Sequence, residues 1–559
     1  MVLLTKYKIG GILSIEFRKF PKITNKLNCF ITKSRVSKSM TISKKQELIR
    51  GAGILMPISA LPSSYGIGTL GREAYRFADF LYRIGCRYWQ VLPVGPTSYG
   101  DSPYQSFSAF AGNPYFIDLD FLAEEGLLKP EEIMEQEWQQ EEDCIDYARI
   151  YQLRFCILRK AYHRSNHKDT QEFIRFRNKN CYWLKDYCRY MAIKEHFDSH
   201  EWQLWEDNIR NRDRNAIEYY DSLLEDEIDF WEFCQYKFRE QWDRLKSYVN
   251  KLDIQVIGDI PLYVAADSSD VWVHTDLFEL DQRKNPVNVA GVPPDAFSDL
   301  GQRWGNPLYR WDTIEKNDFI WWRERMRISA ELYDVIRIDH FIGVVNYYSI
   351  PADCPTAVEG EWKKGPGSKL TKIISESIGD AKIIAEDLGV LTQEVRDLIE
   401  QTGYPGMRIL EFGLEGPADH EYLPHNYKST NLVAYTGTHD NETLVGYLAD
   451  KTEEELSFTY RYFNVSSKEE LPYAVIRSLY SSIADVVIVQ MQDLLLLDNS
   501  ARMNFPSTIG GNWKWRMKQE HYEFLNEEIL REYADLSARS PKINEKTELD
   551  VTKEVEDTE

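Results

Sequence analysis

The residues with the clearest chemical potential lie in the stretch 334–343, D-V-I-R-I-D-H-F-I-G, where Arg337 and Asp339 stand two residues apart in an apolar run. Two residues is the strand period, so both side chains are expected on one face. There the cation would hold the carboxylate ionised and its pKa low. That prepares a nucleophile or an electrostatic stabiliser, although an isolated R-x-D reads first as a structural ion pair. Other apolar runs end in acids as well. One closes in G-D-I-P with Asp259, another in A-E-D-L-G with Glu386 and Asp387, and a third leads into T-G-T-H-D-N-E-T with His439 and Asp440. Burying so many carboxylates without a task would be costly.

Two chemistries suit carboxylates that converge. A metal-assisted hydrolase would use Asp and His as ligands. Cleavage of a glycosidic bond would use one carboxylate as nucleophile and another as acid, roughly 5 to 5.5 Å apart in a retaining enzyme. The metal reading wants histidines at ligand spacing, and the ten histidines supply no such pair at the strand ends. His340 and His439 each adjoin an Asp and are the only candidates. The glycosidic reading therefore leads, with no metal and no cofactor. Glu386, emerging from the apolar A-K-I-I-A, is expected to have a raised pKa and to serve as the acid. His340 is expected to alternate away from Asp339 and pack behind the wall.

The elements that must position these groups are eight β-branched runs, at 53–59, 88–94, 254–262, 334–341, 381–388, 407–412, 432–437 and 486–492, separated by helix-periodic stretches. This pattern predicts a (β/α)₈ TIM barrel over 47–534, whose C-terminal strand ends share one mouth. A helical insertion is expected over 122–250 and a loop-rich insertion, dense in Pro, Gly and Asn, over 265–307. Residues 1–46 hold eleven Lys or Arg against the single acid Glu16. The segment reads as a basic, disordered extension. It is either upstream of a working start at Met40, which places the protein in the cytoplasm, or a transit peptide, which places it in a plastid. The acidic end, 535–559, is expected to be a disordered tail.

Composition narrows the ligand. A net charge of −22 argues against nucleic acid, which is bound through Lys and Arg. No apolar run approaches a membrane span. Aromatic residues make up 13% of the chain, and their flat faces suit sugar rings as well as cores. The eight cysteines form no C-x-x-C pair and read as reduced thiols.

Several long motifs then resemble one family. They are G-I-L-M-P-I-S-A-L-P-S-S-Y-G-I-G from Gly53, Y-W-Q-V-L-P-V-G-P-T-S-Y-G-D-S-P-Y-Q-S-F-S-A-F-A-G-N-P-Y from Tyr88 and G-D-I-P-L-Y-V-A-A-D-S-S-D-V-W from Gly258. To these are added A-G-V-P-P-D-A-F-S-D-L-G-Q-R-W-G-N-P from Ala290, R-I-D-H-F, A-E-D-L-G, Y-T-G-T-H-D-N-E-T and R-M-N-F-P from Arg502. Together, in this order, the sequence resembles the 4-α-glucanotransferases of glycoside hydrolase family 77, in the α-amylase clan.

The resemblance implies transfer of α-1,4-glucan segments between malto-oligosaccharides, starch- or glycogen-derived glucans and glucose. It implies Asp339 as nucleophile, Glu386 as acid/base and Asp440 as the third carboxylate, with Arg337 and His439 beside the reacting sugar. Tyr104 resembles the family's stacking aromatic, and Asp101 and Asn306 its hydroxyl-binding groups. Asp295 and Phe297 match a flap on the acceptor side; some members carry Tyr at the position of Ala296.

Overall fold

The structure, a computed structural model, describes residues 47–98, 100–294, 298–389, 391–508 and 510–541. Eight parallel strands build its centre: β1 Gly51–Leu55, β2 Tyr88–Gln90, β3 Gln255–Ile260, β4 Val335–Ile338, β5 Lys382–Ala385, β6 Gly406–Ile409, β7 Leu432–Tyr435 and β8 Val486–Gln490. Their hydrogen-bonded order is β6-β7-β8-β1-β2-β3-β4-β5. The ring closes between β5 and β6, where the Ala385 N–H donates to the Pro405 carbonyl (3.0 Å) and the Met407 N–H to the Asp387 carboxylate (2.6 Å). This is the expected (β/α)₈ barrel. Parallel strands covered on both faces read as unbroken apolar runs, and β8, V-V-I-V-Q, is buried at every position.

Between β2 and β3 a loop is followed from Pro114 on by helical elements, the last of them the 27-residue helix Glu225–Lys251. Two amides of this helix hold the segment that follows β2. Gln235 donates to and accepts from the backbone of Gly112, and Gln241 does the same with Asp118. The helix thereby fixes the base of the loop that carries Asp101 and Tyr104.

The segment 265–307 departs from the loop-rich expectation. Asn288–Val292 and Gln302–Pro307 are antiparallel strands, joined by Asn346–Pro351 and Glu361–Lys364 into a second, four-stranded sheet. The strands are short and pair across β4, so no local periodicity announces them.

The expected tail also begins too early at 535. Helix Glu527–Leu536 crosses that boundary, and a turn after it leads to Arg539, which is fully buried and donates to five backbone carbonyls, those of Gly51, Tyr480, Ser482, Ala484 and Asp485. The segments 1–46 and 542–559 lie outside the described residues, as do Asp295 and Phe297. Among the described residues six cysteines are free thiols, whereas Cys181 is disulfide-bonded, which corrects the reduced reading for that residue. No helix among the described residues is long and apolar enough to cross a membrane.

Candidate active site

The floor of the barrel mouth is an ion pair between neighbouring strands. Asp259 ends β3 and Arg337 lies in β4, directly across the ladder. Arg337 Nη1 donates to both oxygens of Asp259 (2.8 and 2.6 Å) and to Asp339 Oδ1 (3.1 Å). The Asp259 side chain is fully buried and Arg337 nearly so, whereas Asp339 keeps 30% of its side chain exposed. Gly258 makes this packing possible, since a Cβ there would lie 2.1 Å from the Tyr333 ring.

Arg337 and Asp339 meet as their spacing predicts, but the electrostatic expectation is corrected. Burial raises the Asp339 pKa well above the ordinary carboxylate value. Arg337 opposes that shift, and the charges of Asp259, Glu386 and Asp440 reinforce it. The guanidinium is shared, and Asp259 holds the closer share.

Glu386 sits beside Asp339. β4 and β5 pair Ile338 with Ala385, and the ladder runs on past the strands, with the Glu386 N–H donating to the Ile338 carbonyl (3.1 Å). Adjacent strands lie about 4.8 Å apart, so the two carboxylates start from neighbouring backbone positions. Two backbone amides grip the Glu386 side chain: His340 N–H to Oε2 (2.6 Å) and Leu388 N–H to Oε1 (3.0 Å). Burial still raises its pKa, against Arg337 and these two donors.

His340 departs from the alternation argument. β4 stops at Ile338, and His340 lies beyond it in left-handed backbone (φ 52°). Its ring stands edge-on to Trp304 with centroids 4.8 Å apart, and burial lowers its pKa to about 4.

The third carboxylate comes from the turn after β7. His439 is buried, and its Nε2 lies 3.5 Å from Asp440 Oδ2. The Tyr104 ring stacks on His439 with centroids 4.9 Å apart and donates its hydroxyl to Asp259 (2.7 Å). Tyr104 thus ties the loop after β2 to the floor of the site.

Opposite, the segment 502–504 clamps the turn. Arg502 Nη2 donates to the Asp440 carbonyl (2.7 Å), Asn504 Nδ2 to Asp440 Oδ1 (2.6 Å) and the Asn504 N–H to the His439 carbonyl (3.1 Å).

The remaining candidates fall around this core. Asp101, at φ 61°, lines a small cavity with Tyr147 and Trp513. Trp513 touches the Tyr104 and His439 rings at 5.8 and 5.7 Å, so Asp101 stands one ring away from the centre. Asn306 is buried, donating to the Val264 carbonyl (2.9 Å) and accepting from Gln105 (3.0 Å). It braces the residue next to Tyr104.

Asp259, Arg502 and Asn504 were present in the motifs without assigned roles, and a buried acid at the end of β6, Glu411, was passed over. Glu411 carried the signal that marked the other strand ends, an acid closing an apolar run.

Comparison with known proteins places this geometry. The family profile described as 4-alpha-glucanotransferase matches residues 56–521. The chain belongs to that family. The enzyme is 48% identical over 474 residues to the 4-alpha-glucanotransferase of Clostridium butyricum, a match spanning 84% of this chain and 97% of that one. It is 39% identical over 474 residues to the chloroplastic/amyloplastic 4-alpha-glucanotransferase DPE1 of Arabidopsis thaliana, spanning 84% of this chain and 81% of the relative. Among solved structures, the amylomaltase of Streptococcus agalactiae in complex with acarbose matches with a TM-score of 0.85 and 41% identity, over 88% of this chain and all of that chain. The protein is a 4-alpha-glucanotransferase built on a (β/α)₈ barrel.

Proposed function

We propose that the enzyme moves α-1,4-linked glucan segments by double displacement, with Asp339 as nucleophile and Glu386 as acid/base. The observation that carries this reading is the neighbouring placement of these two carboxylates on β4 and β5, with one guanidinium touching Asp339. Both carboxyls have raised pKa values, the direction expected of two neighbouring buried acids that share a proton. Arg337 lowers both pKa values but donates a hydrogen bond to Asp339 (3.1 Å), and double displacement requires the proton on Glu386.

In the first step the Asp339 carboxylate attacks the anomeric carbon. The bond to the departing oxygen breaks, and Glu386 gives that oxygen its proton. In the second step Glu386 takes the proton of an acceptor sugar hydroxyl, whose oxygen displaces Asp339. Asp440 holds ring hydroxyls, most strongly at the transition state, with His439, Arg337 and Tyr104 completing the donor site. Acceptors are glucose or another α-glucan. The cytoplasm is the compartment we assign; the plastid alternative rests on the basic composition of 1–46.

Incubation with maltotriose tests the reaction. Longer oligosaccharides together with glucose are expected, and a steady rise of reducing ends to glucose and maltose would instead mean hydrolysis. Asp339→Asn is expected to abolish turnover, and near-normal disproportionation by that variant would overturn the nucleophile assignment.

A further inference from the structure

A chain of hydrogen bonds runs from β6 to the backbone of Asp440. The Asp440 N–H donates to Thr438 Oγ1 (3.4 Å), and the Thr438 hydroxyl donates to Asn441 Oδ1 (3.0 Å), which also accepts from the Thr438 N–H (3.0 Å). The other end of the Asn441 amide donates from Nδ2 to Glu411 Oε1 (2.9 Å). Glu411 itself is fixed beside β7, its N–H donating to the Thr436 carbonyl (3.2 Å). Every member of the chain except Asp440 is buried.

We propose that Glu411 is a positioning residue for glucosyl transfer: through Asn441 it sets the turn that carries His439 and Asp440. This rests on the role assigned to Asp440 above.

The side-chain amide of Asn441 has one correct orientation. Its oxygen must meet the two Thr438 donors, so its nitrogen must find an acceptor on the opposite side, and Glu411 is that acceptor. An apolar residue at 411 would leave the nitrogen buried without a partner, and the turn would shift to find one. Arg502 and Asn504 hold the same turn from the other side, through the Asp440 carbonyl and carboxylate. Asp440 is thus suspended between two supports, one of which is Glu411.

The surroundings of Glu411 favour its neutral form. Asp493 and Glu442 face it with like charge, the hydrogen bond from Asn441 and the charge of Arg502 oppose them, and Tyr447 on the helix Leu444–Ala449 also adjoins it. Asp493 is itself fully buried, taking the Thr436 hydroxyl and the Leu444 N–H. Burial, more than these charges, pushes the Glu411 pKa up from 4.5 to about 8. A protonated Glu presents to Asn441 the same carbonyl oxygen that a Gln would, so Gln should replace it and a hydrocarbon should not.

The test compares Glu411→Gln and Glu411→Leu with the wild type in maltotriose disproportionation. Glu411→Leu is expected to lose about 10- to 100-fold in kcat through misplacement of Asp440, with Glu411→Gln restoring activity of the wild-type order. The wild type should also lose activity as pH rises through about 8, as Glu411 ionises beside Asp493 and Glu442, and Glu411→Gln should hold its rate further into alkali.

Thermal unfolding gives a readout independent of activity. A carboxyl whose folded pKa is raised favours the folded state fully below 4.5, and that contribution declines as pH rises through about 8. Glu411→Gln should therefore gain in melting temperature over the wild type between pH 5 and pH 8.

Full activity in Glu411→Leu, while Asp440→Asn is impaired, would overturn the proposal and leave the assigned chemistry standing. An alkaline limb and a melting difference unchanged in Glu411→Gln would overturn the neutral state. Should Glu411→Leu fail to fold, Asn441→Ala cuts the same chain from its other end and is expected to show the same loss in kcat. Normal kcat in that variant would equally overturn the proposal.

Discussion

The N–H of His340 donates to Glu386 Oε2 at 2.6 Å, and it can do so only because His340 adopts left-handed backbone at φ 52°. Past Ile338, where β4 ends, the chain turns this amide onto the carboxylate that we assign as acid/base. A β-branched residue pays about 1 to 2 kcal/mol in this conformation. His340→Val is expected to swing the amide away and to reduce kcat about 10- to 100-fold. His340→Gly also lacks the ring but accepts the backbone angle, so it should keep far more activity. Equal losses in the two variants would place the effect in the ring contact with Trp304 instead.

Asp259 competes with Asp339 for Arg337, and with Asp339 as the nucleophile we assign this is expected to set the acid limb of the pH profile. Its negative charge raises the Asp339 pKa and its carboxylate takes the shorter hydrogen bonds from the guanidinium. Asp259→Asn removes that charge and leaves Arg337 to Asp339, so the Asp339 pKa must fall. An enzyme that needs ionised Asp339 then reaches its plateau at lower pH. The acid limb of kcat/KM should move down, with a lower plateau because Tyr104 loses a charged acceptor. A limb that stays in place would show that Asp259 exerts no control over the nucleophile.

The barrel was legible because strands covered on both faces must be apolar without interruption, as in 381–388 and 486–492, and because acids placed at their ends stand out. The pairing of Asp339 with Glu386 followed from strand adjacency alone. The direction of the Asp339 pKa shift did not, since it is set first by burial and then by acids such as Asp259, which takes Arg337 from 78 residues away in sequence. The alternation argument fails at His340 because the strand has already ended at Ile338. The four-stranded sheet stayed hidden because its strands pair across β4. Arg539 was equally unreadable, one cation at the start of an acidic tail whose burial depends on five carbonyls from distant turns.

That burial predicts a stability effect far from the chemistry. The Arg539 guanidinium donates to carbonyls at the N-terminal end of the barrel, and Arg539→Ala leaves several of them buried without a donor. A loss of about 3 kcal/mol or more is expected. Arg531→Ala is the comparison, because its ion pair with Asp535 is half-exposed on the helix Glu527–Leu536 just before Arg539 and should contribute under about 1 kcal/mol. Urea unfolding of the two variants measures the difference. Similar midpoints would remove Arg539 from the framework of the fold.

Asn504 offers a separation of binding from catalysis at Asp440. Its Nδ2 donates to the Asp440 carboxylate (2.6 Å), while its backbone N–H holds the His439 carbonyl. Asn504→Ala removes the first bond and keeps the second, so the turn retains its anchor. Asp440 keeps 48% of its side chain exposed, and water can replace the amide in the free enzyme, leaving stability within about 0.5 kcal/mol. With glucan in place that water is displaced, and Asp440 must meet the distorted sugar without its oriented donor. A charge-assisted hydrogen bond partly replaced is a loss of about 1.4 kcal/mol, or tenfold. The loss should fall on kcat if Asp440 acts mainly at the transition state. A tenfold rise in KM at unchanged kcat would assign Asp440 to ground-state binding and withdraw the transition-state role.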